Sequence, residues 1–152
     1  MLSTTSNFEL EDLAKRLGIK NFKIFSPDLI KGKIPANQNG VVNLDNSDGG
    51  GTHWVAFFQN KNSEYAIYYD SYGIAPDPRL LRYLKSSGKP VIGQTVDHQH
   101  IRSKACGYFA LYFLYCMSVK GMSFSEFLSH FDHDEKNNER VLEKFFKPYL
   151  KK

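Results

Sequence analysis

The sequence predicts an α+β fold: a mixed or antiparallel central sheet, packed by a buried central helix and by flanking helices. Three observations predict it. Cys106–Val119 is apolar almost all round, which marks a helix buried on every side. His53–Gln59 (HWVAFFQ) and Glu64–Asp70 (EYAIYYD) are rich in aromatic and β-favouring residues, and the polar Asn60–Ser63 between them reads as a hairpin turn. Amphipathic stretches with helix-start signals stand before and after this block.

The elements follow in order. Ser6 and Glu9 form a Ser-x-x-Glu capping box. Leu10, Leu13, Ala14 and Leu17 then share one helical face, and Gly18 is a natural stop. Residues 20–40 read as irregular connection, with a short extended piece at Phe22–Phe25. Val41–Leu44 is a short strand candidate, and Asp45–Thr52 (DNSDGGGT) is a glycine-rich loop. After the hairpin, Pro76 and Pro78 precede a short helix, Arg79–Lys85. Val91–Val96 is a further strand, and Asp97–Lys104 a polar loop leading into the central helix. Ser123 and Glu126 form a second capping box before a helix at Phe124–Phe131. A last helix spans Asp134–Phe146, with Val141, Leu142, Phe145 and Phe146 on one side and Pro148 beyond it.

Bulk properties bound the function. The chain has 152 residues, which favours a single domain over 1–152. A hydrophobic fraction of 41% and an aromatic fraction of 14% can offset the ordering entropy, so disorder is not expected. Residues 1–12 are polar and acidic where a secretory signal needs an apolar stretch. The longest apolar run, Phe109–Met117, has nine residues, against roughly 20 for a membrane span. A soluble, intracellular, monomeric protein without membrane contact is therefore expected. The net charge of +4 permits contact with nucleic-acid backbones without demanding it, since no run of five basic residues exists. Two cysteines, Cys106 and Cys116, sit ten residues apart in one helix. That excludes a disulfide framework and a four-cysteine zinc site. No metal is called for.

The candidate chemistry centres on Cys106. It opens the most apolar helix, where backbone N–H groups and the macrodipole favour a thiolate. Gly107 after it would let a substrate carbonyl approach the backbone. Most free cysteines are merely small buried hydrophobes, and Cys116 in mid-helix is read as one. A thiolate needs a base. His53 begins a strand after GGGT and precedes Trp54, whose indole can pack on the pair. His98 and His100 stand in the loop before Cys106, where a solvated side chain is the commoner outcome. His130 and His133 lie near a helix end and can simply complement its dipole. Asp70 ends the strand that pairs with the one His53 begins. With the turn centred near residue 61 or 62, positions 53 and 70 face one another. A carboxylate there would orient the imidazole, although a turn-capping Asp before Ser71-Tyr72-Gly73 reads the same locally. Gln99, seven residues before Cys106, can supply a side-chain N–H to a developing oxyanion.

The ordered set His53-Trp54, Asp70, Gln99 and Cys106-Gly107, the last within KACGYFALYFL, resembles the adenovirus-type maturation proteases. More widely it resembles the clan of SUMO- and ubiquitin-like-protein proteases. Gly50-Gly51-Thr52-His53-Trp54-Val55-Ala56-Phe57 is similar to the viral Gly-Gly-x-His-Trp-x-Ala-Phe segment. Val41-Val42-Asn43 and Ser6–Gly18 match the same family's opening, and the likeness thins out after about Phe113. The resemblance implies a cysteine endopeptidase with a papain-like site: Cys106 as nucleophile, His53 as base and later acid, Asp70 as orienter, Gln99 as oxyanion donor. It implies polypeptide substrates, namely viral capsid or core precursors cut after small residues in Gly-containing motifs, inside the virion and the infected cell. Gly50, Gly51 and Trp54 are then candidate substrate-binding residues. Activation of the adenovirus enzyme by a disulfide-linked peptide cannot operate here, because no cysteine precedes Cys106. Stimulation by DNA or by a non-covalently bound peptide is compatible with the sequence, and no cofactor is required. A SUMO- or ubiquitin-like-protein protease is the alternative, and a non-enzymatic basic structural or DNA-binding protein a second one.

Overall fold

The computed structural model describes residues 2–44, 53–94, 97–100 and 102–150. Among them five strands form one sheet: β1 Phe22–Phe25, β2 Gln38–Asn43, β3 Trp54–Gln59, β4 Ala66–Tyr69 and β5 Val91–Gly93, in that spatial order. The β2–β3 and β3–β4 pairs are antiparallel, whereas β1–β2 and β4–β5 are parallel, so the sheet is mixed. Every residue of β3 is buried. Trp54, Ala56 and Phe58 join the larger core with α1 (Asn7–Leu17) and α3 (Cys106–Leu114); Val55 and Phe57 join a second core with α2 (Pro78–Lys85). Burial on both faces explains why HWVAFFQ is a continuous apolar run without polar alternation.

The helices begin where the capping chemistry places them. Ser6 caps α1 in a complete capping box with Glu9, and Gly18 ends it at φ 81°. Asp77 accepts the Arg79 N–H at 2.8 Å to start α2. Ser123 and Glu126 form the second box, at α4 (Phe124–Leu128). All nine residues of α3 are buried. The chain then continues as one π-helical turn, Tyr115–Val119, where a uniform α-helix was expected.

Four element boundaries differ from the sequence reading by three residues or more. β2 starts at Gln38, because two features bring the end of the expected irregular connection into the strand. Buried Asn39 donates to the Lys20 carbonyl at 2.7 Å and the Ser118 hydroxyl at 3.1 Å. Gly40 leaves room for the Phe57 ring directly across the ladder, 2.4 Å from where its Cβ would be. β5 ends at Gly93, with Thr95 and Val96 outside the described residues. α4 stops at Leu128, short of Phe131. The last helix, α5 (Glu135–Leu150), runs through Pro148. The N–H that proline lacks would have bonded Lys144, which is exposed on the same side, so water can satisfy the carbonyl.

The start of α3 is closed by the chain's N-terminal segment. A Cβ on Gly107 would lie 2.0 Å from Thr5 Oγ1 and 3.2 Å from a Leu10 methyl. The space that the sequence suggested for substrate is filled by Thr5. Ala normally gains up to about 1 kcal/mol over Gly within a helix; here the clash should reverse that sign. Gly107→Ala is expected to destabilise the fold by about 1–3 kcal/mol in urea denaturation, and Thr5→Ala in the same chain should restore part of the loss.

Candidate active site

The β3–β4 hairpin builds the basic and acidic half of the site. Ala56 stands opposite Tyr69 and Phe58 opposite Ile67. This register is centred one residue later than the sequence reading placed it. Continued past the ladder, it sets His53 opposite Tyr72 and diagonal to Asp70, on one face, where side chains still touch. His53 Nε2 lies 2.9 Å from Asp70 Oδ1. Tyr72 uses its position fully: its N–H donates to the same carboxylate oxygen at 2.8 Å, and its ring packs on His53 with centroids 4.8 Å apart. Tyr68 offers its hydroxyl to Asp70 Oδ2 at 3.5 Å. Asp70 is only 1% exposed, so these donors replace its water.

Cys106 supplies the other half from the first turn of α3. Its Sγ accepts the backbone N–H of Trp54 at 3.4 Å, which ties the thiol to the start of β3. His53 Nε2 is committed to Asp70, so the buried Nδ1 is the nitrogen left for the thiol. Burial alone would lower the His53 pKa. The hydrogen bond to Asp70, the contact with Cys106 and the two negative charges outweigh it and raise the pKa from 6.5 to about 9. The imidazole is thus poised as an imidazolium beside a sulfur.

Gln99 is 1% exposed and held at both ends of its amide. Ser71 Oγ donates to Oε1 in a short hydrogen bond, and Nε2 donates to the Ser103 carbonyl at 3.0 Å. The Ser71 carbonyl also accepts the N–H groups of His98 and Gln99, at 2.8 and 3.1 Å. Among the described residues, the second N–H of the amide has no acceptor. Tyr72 donates its hydroxyl to the Ser103 carbonyl at 3.2 Å, linking the Gln99 support to the ring that covers His53. Ser71, Tyr72, Ser103 and the Trp54 backbone were missed by sequence reasoning. The run Asp70-Ser71-Tyr72-Gly73 signalled only a turn, and only a correct hairpin register would have pointed to Tyr72.

Other expectations are corrected. Trp54 is 1% exposed and donates its indole N–H to the Thr5 carbonyl at 3.2 Å, so its side chain is a core anchor and offers no surface to substrate. Gly50 and Gly51 lie outside the described residues. His98 is buried, not solvated: it sits 3.0 Å from the Tyr69 hydroxyl, and burial pushes its pKa down to about 4, which keeps it neutral. Cys116 is buried and its thiol is pushed up to about 11 by burial, the opposite of an activated nucleophile. Among the described residues no cluster of three or more His, Cys, Asp or Glu could hold a metal ion, and no helix is long and apolar enough to cross a membrane.

No protein-family profile and no curated protein sequence matches the chain. Solved structures do. The ASFV pS273R protease superposes with a TM-score of 0.68 at 17% identity, over 92% of this chain and 67% of that one. The Chlamydia trachomatis effector ChlaDUB1 gives 0.58 at 13% identity, over 96% of this chain and 72% of that one. The SUMO protease Ulp1 gives 0.52 at 13% identity, over 97% and 80%. The chain spans about two thirds of the length of the ASFV protease. These neighbours lie in the clan of SUMO- and ubiquitin-like-protein proteases, and the α+β fold with a five-stranded mixed sheet is the one this chain shares with them.

Proposed function

We propose that the chain is a cysteine endopeptidase with Cys106 as nucleophile, His53 as base and acid, Asp70 as orienter and Gln99 as oxyanion donor. The observation that carries the reading is the buried Asp70–His53 pair at 2.9 Å, whose second ring nitrogen is left for a cysteine at a helix N-terminus. The Cys106 thiolate attacks the scissile carbonyl, and the oxyanion is held by the uncommitted Gln99 N–H and the Cys106 backbone N–H. The His53 imidazolium protonates the leaving amine, and water then hydrolyses the thioester with His53 as base. No metal or organic cofactor takes part in these steps.

The substrates proposed are polypeptides, specifically viral structural precursors cut after small residues in Gly-containing motifs, in the virion and the infected cell. The likeness of Gly50–Phe57 to the Gly-Gly-x-His-Trp-x-Ala-Phe segment of the adenovirus-type proteases supports this over a SUMO- or ubiquitin-like-protein protease. The net charge of +4 is compatible with stimulation by DNA, and a non-covalently bound peptide could serve the same end.

Two sets of variants test the site. Cys106→Ala is expected to abolish cleavage of extended Gly-containing peptides and of ubiquitin-like fusions, whereas Gln99→Ala should keep activity lowered by roughly 10²–10³ in kcat. Activity in Gln99→Ala equal to that of the parent would remove Gln99 from the mechanism. The pH profile tests the pair. A raised His53 pKa keeps the imidazolium through neutral pH, so kcat/KM should fall only as the pH rises through about 9. In Asp70→Asn the charge that raises the pKa is gone and the lowering by burial remains, so that alkaline limb should move to lower pH. An unmoved limb would mean another group sets it.

A further inference from the structure

Two consecutive side chains of α5 reach back to the residues that fix Gln99. Asn138 is fully buried. It lies on the stripe Asn138, Leu142, Phe146, where the helix packs inward and an apolar residue would normally stand. Its Nδ2 donates to the carbonyls of His98 at 3.0 Å and Asp132 at 2.9 Å, and its Oδ1 accepts the Asp132 N–H at 2.9 Å. Half-buried Glu139 accepts the Ser103 hydroxyl at 2.6 Å. His98 immediately precedes Gln99, and Ser103 carries the carbonyl that receives the Gln99 amide. A buried amide costs stability unless it is satisfied, and the amide of Asn138 is satisfied by holding two backbone segments in place.

We infer that Asn138 and Glu139 are positioning residues for the oxyanion donor. Ser71 holds Gln99 from the sheet side; α5 holds it from the helix side, through His98 and Ser103. The inference rests on the role proposed above for Gln99, and the test separates the two.

Two reactions of Cys106 in the full chain differ in the needed way. Iodoacetamide alkylation forms an S–C bond at a saturated carbon and expels iodide, with no oxyanion. Acylation by p-nitrophenyl acetate adds the thiolate to a carbonyl, passes through an oxyanion, and breaks the C–O bond to release p-nitrophenolate and leave a thioester. Asn138→Ala and Glu139→Ala are expected to slow acylation roughly 10- to 100-fold, as misplacement of a reacting geometry does, with alkylation within about twofold of the parent as for any change that leaves the thiolate pair intact. Glu139→Gln keeps an acceptor for Ser103 and should restore most of the rate. In a Gln99→Ala background neither substitution should slow acylation further. Equal loss in both reactions, additive loss in that background, or unchanged acylation would overturn the inference. If Gln99→Ala itself acylates like the parent, the Gln99 role fails and the inference falls with it. Should Asn138→Ala fail to fold by circular dichroism, the Glu139 pair of variants carries the same test.

Discussion

A carboxylate buried as deeply as Asp70 has to be matched by donors, and that requirement organises this site. At 1% exposure Asp70 has lost its water, and its replacements are the His53 ring, the Tyr72 N–H and the Tyr68 hydroxyl. An unpaired buried charge would be strongly destabilising. The fold therefore favours the protonated imidazole, which burial alone would disfavour. The sign follows from the pKa raised to about 9. The stabilisation is full below the ordinary value of 6.5 and is lost as the pH rises through the folded value. The same electrostatic demand that stabilises the hairpin end thus supplies a proton donor next to the sulfur.

The proposed nucleophile is fixed by packing where a side-chain cap is missing. Ala105 gives α3 no capping hydrogen bond, and a helix start so buried would ordinarily need one. Thr5 fills the space beside Gly107 and holds the Trp54 indole, and the Trp54 N–H meets Cys106 Sγ. Residues more than a hundred positions apart in sequence are joined through two contacts. The first turn of α3 keeps its N–H groups for negative charge at the thiol and at a developing oxyanion.

Much of this was legible in the sequence because it depends on residue type and local spacing. The capping boxes at Ser6 and Ser123, the stop at Gly18 and the apolar helix at Cys106 are local signals. What was misread depended on tertiary partners. The hairpin centre was placed one residue early, which shifted the pairing by two and hid Tyr72 as the residue opposite His53. His98 looked solvated because it stands among polar residues, yet it lies in the core against the Tyr69 hydroxyl, and burial keeps it neutral. Asn39-Gly40 was read as part of an irregular connection because nothing local shows that Phe57 lies over the glycine. Trp54 read as a cleft residue because it follows the candidate base, but strand alternation sends it to the opposite face, into the core with α3.

The depth of the reacting groups bears on what can be cut. Cys106 is 5% exposed, Gln99 and Asp70 are each 1% exposed, and the His53 side chain is the most open of the four at 20%. Tyr72 and Gln99 are both held by hydrogen bonds to the Ser103 carbonyl. Glycine contributes no side chain that so deep a site would have to accommodate, which suits the Gly-containing motifs of the proposed substrates. Small misplacements of a reacting group are costly, so the same hydrogen bonds bear directly on the role proposed for Gln99.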